Sequence, residues 1–250
     1  MLTIAITNQK GGVGKTSMTV NLAAALARRE QRTLLVDMDP QGSLTEYFLD
    51  PASLEYTMYD ALLYGLTVSP SILGEYVHLL PAHIDLAKAE IILPSKRNQE
   101  HTLERTLRHY AKPYDYCLID CPPSLGIMTI NALTAAQQVI IPVSTELMAE
   151  RTLKLIMETI DDVRESELNT DLQVWRIVPT MYDQRLAHHR EILQALHSKY
   201  AKQLYPEPVR ATTKYKDAVT SHTDVSELDP RLGGYWDEIA CTLLSDTKGR

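Results

Sequence analysis

The sequence predicts an α/β fold, a mostly parallel, twisted sheet with helices on both faces. Three observations carry that prediction. Short apolar, often β-branched runs recur along the chain, with helical or loop sequence between them. Two of these runs, Arg32–Asp37 and Tyr116–Asp120, end in carboxylates, placed where open parallel sheets bind their ligands. A third, Leu2–Thr7, feeds a glycine-rich loop, Asn8-Gln9-Lys10-Gly11-Gly12-Val13-Gly14-Lys15-Thr16, and then Ala- and Leu-rich sequence of helical spacing to Arg29.

Strand, glycine loop and helix together are the setting of a phosphate-binding loop. Gly11, Gly12 and Gly14 let backbone N–H groups converge on an anion, and the helix N-terminus adds unpaired donors and partial positive charge. Val13 and Ser17 lie within the same cradle. Lys15 supplies an ammonium for the β- and γ-phosphates, and the Thr16 hydroxyl is placed to ligate Mg²⁺. The strict pattern G-x-x-x-x-G-K-[ST] is not met: Gln9 stands where its first glycine would be, followed by a second lysine, Lys10.

This deviant loop, K-G-G-V-G-K-T, resembles that of the ParA/MinD superfamily of deviant Walker A P-loop ATPases. The resemblance implies ATP and Mg²⁺ as cofactors and an ATP-dependent homodimer, in which Lys10 reaches the partner's nucleotide and acts with Lys15 in catalysis. Asp37-Met38-Asp39-Pro40-Gln41-Gly42 resembles the family's first switch, which makes Asp39 the residue that orients the attacking water and places it beside the metal. Asp120, at the end of an apolar strand, has the position of a Walker B carboxylate acting on Mg²⁺ through water. Cys121-Pro122-Pro123-Ser124-Leu125-Gly126 continues as the second switch.

Between these motifs, residues 43–93 read as mixed helix and loop with one strand at Tyr76–Pro81, and their wording is similar to chromosomal-type, Soj-like ParA. Asn98–Tyr110 reads as a helix and Gln138–Val143 as a strand. Leu153, Ile156, Met157, Ile160 and Val163 mark the apolar face of a long helix. Leu172–Met181 returns as a strand, and the resemblance puts Met181 and Pro208 beside the adenine. His188-His189 lacks a third ligand, so a structural role is expected.

With 250 residues, 44% hydrophobic and 23% charged, the chain has the composition of a soluble globular protein and fits one domain, 1–250. No apolar run approaches the roughly 20 residues that span a bilayer, and strand sequence from the second residue leaves no room for a leader. Cys117, Cys121 and Cys241 have no metal-binding spacing. The net charge of −7 is unevenly spread: residues 184–216 carry seven basic and two acidic side chains, a local +5 that leaves −12 on the rest. A basic face on an acidic body suits phosphate binding.

The candidates for DNA contact are Arg185, Lys199, Lys202, Arg210, Lys214 and Lys216, with Arg210 foremost because Pro208-Val209-Arg210 resembles the family's DNA-contacting segment. The C-terminal stripe Trp236, Ile239, Ala240, Leu243 and Leu244 is flanked by Asp237, Glu238 and Asp246. An acidic flank argues against a membrane-binding helix, so packing on the chain's own body is expected. The resemblance lacks the N-terminal operator-binding region of larger plasmid ParA proteins. It implies a cytoplasmic, nucleoid-associated partition ATPase. Non-specific double-stranded DNA and a ParB-type centromere-binding or adaptor protein are its expected partners, with no membrane. Positioning of a non-DNA cargo, a MinD-like membrane cycle and an iron–sulfur role are the alternatives.

Overall fold

Each apolar run becomes a strand of one seven-stranded sheet in the computed structural model, which describes residues 1–247. The strands are β1 (Leu2–Ile6), β2 (Thr33–Asp37), β3 (Ser71–Ile72), β4 (Val77–Leu80), β5 (Tyr116–Asp120), β6 (Gln138–Ser144) and β7 (Gln173–Thr180). They lie in the order β3-β4-β2-β5-β1-β6-β7. All neighbours are parallel except β3 and β4. β3 pairs through only two residues, too short for any periodicity to reveal it.

Successive strand side chains face opposite sides of a sheet, and here both sides are buried. Ala5, Val36, Ile119 and Ile141 point into one core. Ile4, Ile6, Leu35 and Leu118 point into the other. This two-sided burial is what β-branched runs without polar alternation demand of a parallel sheet. The first core is closed by α3 (Met58–Tyr64), α4 (Leu86–Ile92), α5 (Thr102–Leu107), α6 (Ile127–Ala135), α7 (Ala149–Glu165) and α8 (Ala187–Tyr200). The second lies under α1 (Lys15–Ala27), α2 (Ser43–Phe48) and α10 (Pro230–Thr247). The remaining helix, α9 (Lys214–Thr220), packs Tyr215 on the same side.

The helix expected over Asn98–Tyr110 is broken into three pieces. 3₁₀ turns at Gln99–His101 and Arg108–Tyr110 flank the short α5. At the first junction the cause is Asn131: its carboxamide accepts from the Leu103 N–H at 3.0 Å and donates to the Gln99 carbonyl at 2.9 Å. It thus replaces the bond that would have joined those two groups in a continuous helix.

The C-terminal stripe is buried as expected, with Trp236, Ile239, Ala240 and Leu243 in the second core. Its acidic neighbour Asp237 pairs with Arg28 and Arg29 just beyond α1. Beyond β7, residues 203–211 run alongside its edge. Ile177 N–H donates to Gln203, Tyr205 N–H to Ile177, Val209 N–H to Pro179, and Tyr182 N–H to Val209. An exposed sheet edge is thereby covered, and Arg210 is carried back to the end of the sheet where the glycine loop lies.

Candidate functional site

The carboxyl ends of β1, β2, β5 and β6 converge on the glycine loop. Asn8 donates through Nδ2 to the Pro142 carbonyl at 2.7 Å, and Thr180 Oγ1 donates to the Val13 carbonyl at 2.9 Å. Two neighbouring strands therefore hold the loop from outside. Gly14, at φ 91°, turns the chain into α1 through a left-handed conformation that a side chain would strain. No side-chain cap and no acidic residue occupies the first turn of α1, which leaves its N–H groups for an anion.

Lys15 is 7% exposed. Its ammonium lies 3.3 Å from the Lys10 carbonyl, folded over the loop. Burial lowers its pKa, against the opposing pull of Asp120, Cys121 and Asp39. Thr16 donates through Oγ1 to Asp120 Oδ2 at 2.6 Å. Asp120 is fully buried, its other oxygen has no hydrogen-bond partner among the described residues, and its pKa is pushed up to about 8, mainly by burial and next by Asp37.

Asp37 sits directly across the β2–β5 pair from Asp120. Burial raises it to about 6, although it accepts both the Thr45 N–H and hydroxyl, at 2.8 and 2.7 Å, and the Asp39 N–H at 3.1 Å. Two buried carboxyls, one with an unpaired oxygen beside a threonine hydroxyl and a lysine, make a hard-oxygen site short of positive charge. These donors fit Mg²⁺, with Thr16 and Asp120 positioned to hold it directly or through water.

Asp39 is half-buried. One of its oxygens accepts the Gln41 N–H at 2.9 Å, which closes the switch turn, and Gly42 at φ 65° then starts α2. By sequence Asp37 is a strand-end carboxylate with no role of its own; the doubled carboxylate of Asp37-Met38-Asp39 is the signal that could have given it one. Lys10 is met by Ser144 Oγ at 3.1 Å and by Glu146. Neither partner is legible without the strand order, because both lie more than 130 positions away in sequence.

A cavity of about 150 Å³ adjoins the loop, lined by Val13, Gly14, Ser17, Met181 and, from the covering segment, Val209 and Arg210. Tyr215, Lys216, Val219 and Trp236 also line it. Met181, expected beside the adenine, lines this cavity next to Gly14 and Ser17. Pro208 lines instead the neighbouring cleft with Glu207 and Tyr235. The basic candidates fall into groups. Arg210 and Lys216 border the loop cavity, and Lys214 begins α9. Lys199 and Lys202 lie at the far end of α8, whose 14 residues span about 21 Å. Arg185 is engaged by Asp183. His189 is buried and accepts the Asp183 N–H at 2.9 Å. Among the described residues no cluster of metal-ligating His, Cys, Asp and Glu is present.

A parallel sheet whose strand ends surround a two-lysine phosphate loop, with switch and Walker B carboxylates in place, defines a P-loop ATPase of the deviant class. A family model described as an AAA domain matches residues 1–174. The chain is 42% identical over 207 residues to the chromosome partitioning protein ParA of Myxococcus xanthus, covering 81% of this chain and 72% of that one. It is 39% identical over 235 residues to the sporulation initiation inhibitor protein Soj of Bacillus subtilis, with 92% of each covered. The chain belongs to this ParA/Soj family of P-loop ATPases.

Among solved structures, it is similar to a protein of Mycobacterium smegmatis titled cobyrinic acid a,c-diamide synthase with bound ATP analogue and magnesium. The TM-score is 0.87 at 35% identity, covering 100% of this chain and 97% of that one. A putative plasmid partition protein of Borrelia burgdorferi bound to AMPPNP, at 23% identity and TM-score 0.84, covers 98% and 99% and shares the fold.

Proposed function

We propose that this chain is a DNA-partition ATPase that works as one domain, 1–250. In this reading Mg·ATP drives dimerisation, the dimer binds duplex DNA without sequence preference, and a ParB-type partner stimulates hydrolysis. The observation that carries the proposal is the assembly of Lys10, Lys15, Thr16, Asp39 and Asp120 at the strand ends, in a chain whose relatives bear the name of chromosome partitioning.

The bound metal would offset the charge that collects on the phosphate oxygens; the rest falls to the chain. Lys15 and the N–H groups of the loop and α1 hold the phosphates. Asp120 takes its proton-free form once a cation is beside it. Asp39, its turn fixed by Gln41 and its N–H by Asp37, keeps an oxygen for the attacking water. Phosphoryl transfer is mostly positioning and charge stabilisation, so the unaided rate is low until Lys10 of a second copy is in place. Basic groups near Arg210 would bind DNA phosphates, and doubling them in the dimer would strengthen a salt-sensitive contact. The protein would then act at the nucleoid.

The test is binding of random duplex DNA by the Asp39→Ala protein with Mg·ATP and with Mg·ADP across a salt series. Binding seen only with ATP, and falling steeply with salt, supports the proposal. Absence of binding in both states removes DNA as the track and leaves the positioning of a non-DNA cargo.

A further inference from the structure

A second concave site lies away from the glycine loop, between the C-terminal end of α3 and the side of α5. It is a cleft of about 250 Å³. Its floor is made by buried residues, Ala61 and Leu62 of α3 with Thr102 and Thr106 of α5. Its rim is basic: Lys96, Arg97, Arg105 and His109 are all exposed there, and no carboxylate lines it. That is unusual on a chain of net charge −7.

The nearby acidic side chain, Glu104, is held by Arg108 and His101. Lys96 and Arg105 are anchored by hydrogen bonds to Leu63, Asn98 and Thr102. Arg97 and His109 have no hydrogen bond or ion pair among the described residues. Leu66, 43% exposed, extends the apolar floor to the lip.

We infer that this cleft docks a peptide segment of a partner protein, in which an apolar side chain enters the floor and flanking carboxylates meet the basic rim. The volume favours this occupant, since it falls below the roughly 300–1,000 Å³ of pockets that enclose whole small molecules. A duplex would contact the rim phosphate by phosphate and leave the apolar floor unused. An apolar anchor in a desolvated pocket ringed by charge is also the arrangement that gives peptide interfaces their affinity and their register. The site is independent of the nucleotide cavity, with which it shares no residue.

The test uses the full chain and a fluorescein-labelled 15-residue peptide of Glu and Leu, read by anisotropy. Companion peptides carry Ser for Leu or Gln for Glu, and a 24-base-pair duplex is run alongside. The Leu/Glu peptide should bind, and both companions should bind at least about tenfold more weakly. Arg97→Glu with His109→Glu should lower peptide affinity at least about tenfold. Lys112→Glu, just beyond the same stretch and outside the cleft, should leave it unchanged, and ATP binding should be retained in both variants as the check of folding. Equal binding of the Ser peptide, or an equal loss in Lys112→Glu, would overturn the proposal. So would failure of the Leu/Glu peptide to bind, or a double variant that loses only the duplex, which would make the rim a nucleic-acid surface.

Discussion

The Lys10 ammonium is paired with Glu146 just beyond the end of β6 and donates to Ser144 beside it. The lysine expected to reach a partner's phosphates is thus held within its own subunit. The pair is solvent-facing, with side chains 31% and 54% exposed, so it is worth about 0.2–1 kcal/mol. A dimer releases two such pairs, so Glu146→Gln should tighten the Mg·ATP dimer by up to about thirtyfold, whereas Lys10→Ala should abolish the dimer and spare ATP binding. Sedimentation velocity with Mg·ATP checks both. A weaker dimer in Glu146→Gln would mean that Glu146 aims the lysine instead of competing for it.

Lys15 offers a different outcome because it is buried over the loop, and among the described residues its ammonium is paired with the Lys10 carbonyl and with no carboxylate. Lys15→Ala should cost nucleotide binding about 2–5 kcal/mol, roughly thirtyfold or more in Kd. Calorimetric titration with ATP would show it, and an unchanged Kd would sink the assignment of the loop.

Asp39 and Asp37 are two residues apart and should separate cleanly. Asp39→Ala should lower hydrolysis by about 10²-fold or more, the range of a lost positioning or base group, while the ATP dimer persists. Asp37 spends its oxygens on Thr45 and the Asp39 N–H. Asp37→Ala should therefore reduce thermal stability as well as turnover, since it strands the buried Thr45 donors. A monomeric Asp39→Ala protein under Mg·ATP, or a fully stable Asp37→Ala protein, would contradict these roles.

The buried carboxyls make stability depend on pH in a definite direction. Asp37 and Asp120 hold protons in the folded chain that the unfolded chain releases above the usual carboxylate pKa of 3.8. Where the folded state binds more protons, stability falls as pH rises. Without nucleotide, the melting temperature should thus decline between about pH 4 and pH 8, and the decline should be shallower in Asp120→Asn. Mg·ATP favours the ionised Asp120, so its stabilisation should be larger at pH 8 than at pH 6. Equal slopes for the two proteins would place the pH dependence elsewhere.

What could be read from the sequence was whatever a local string encodes. The loop from Asn8 to Thr16, the switch at Asp39 and the strand ending in Asp120 each combine residue types whose chemistry is plain at short range. The Arg32–Asp37 and Tyr116–Asp120 runs could be placed as buried strands because they carry no polar alternation. What could not be read were consequences of strand order. Ser144 meets Lys10 only because β6 lies beside β1, and Asn131 breaks the helix before β5 from a helix that follows it. The basic segment 184–216 looks like one face by charge, but α8 carries Lys199 away from the loop and Lys202 follows beside the middle of β7, while the covering segment returns Arg210 to the loop.

That separation yields the sharpest test of the proposed DNA surface. Arg210 and Lys216 border the cavity beside Gly14 and Ser17, so a DNA contact there would be sensitive to nucleotide, whereas Lys199 lies about 18 Å along α8 from its first residue, with Lys202 just beyond that helix. If the nucleotide gates DNA binding through the cavity wall, Arg210→Ala should weaken duplex binding at least about tenfold, make the salt dependence shallower by close to one ion per site, and leave dimerisation intact. Lys199→Ala with Lys202→Ala should have less than a threefold effect. Equilibrium binding of random duplex at several salt concentrations, with Mg·ATP present throughout, measures both. Loss in the Lys199 and Lys202 variant alone would move the DNA track to the far end of α8, where the nucleotide could act on it only through the dimer.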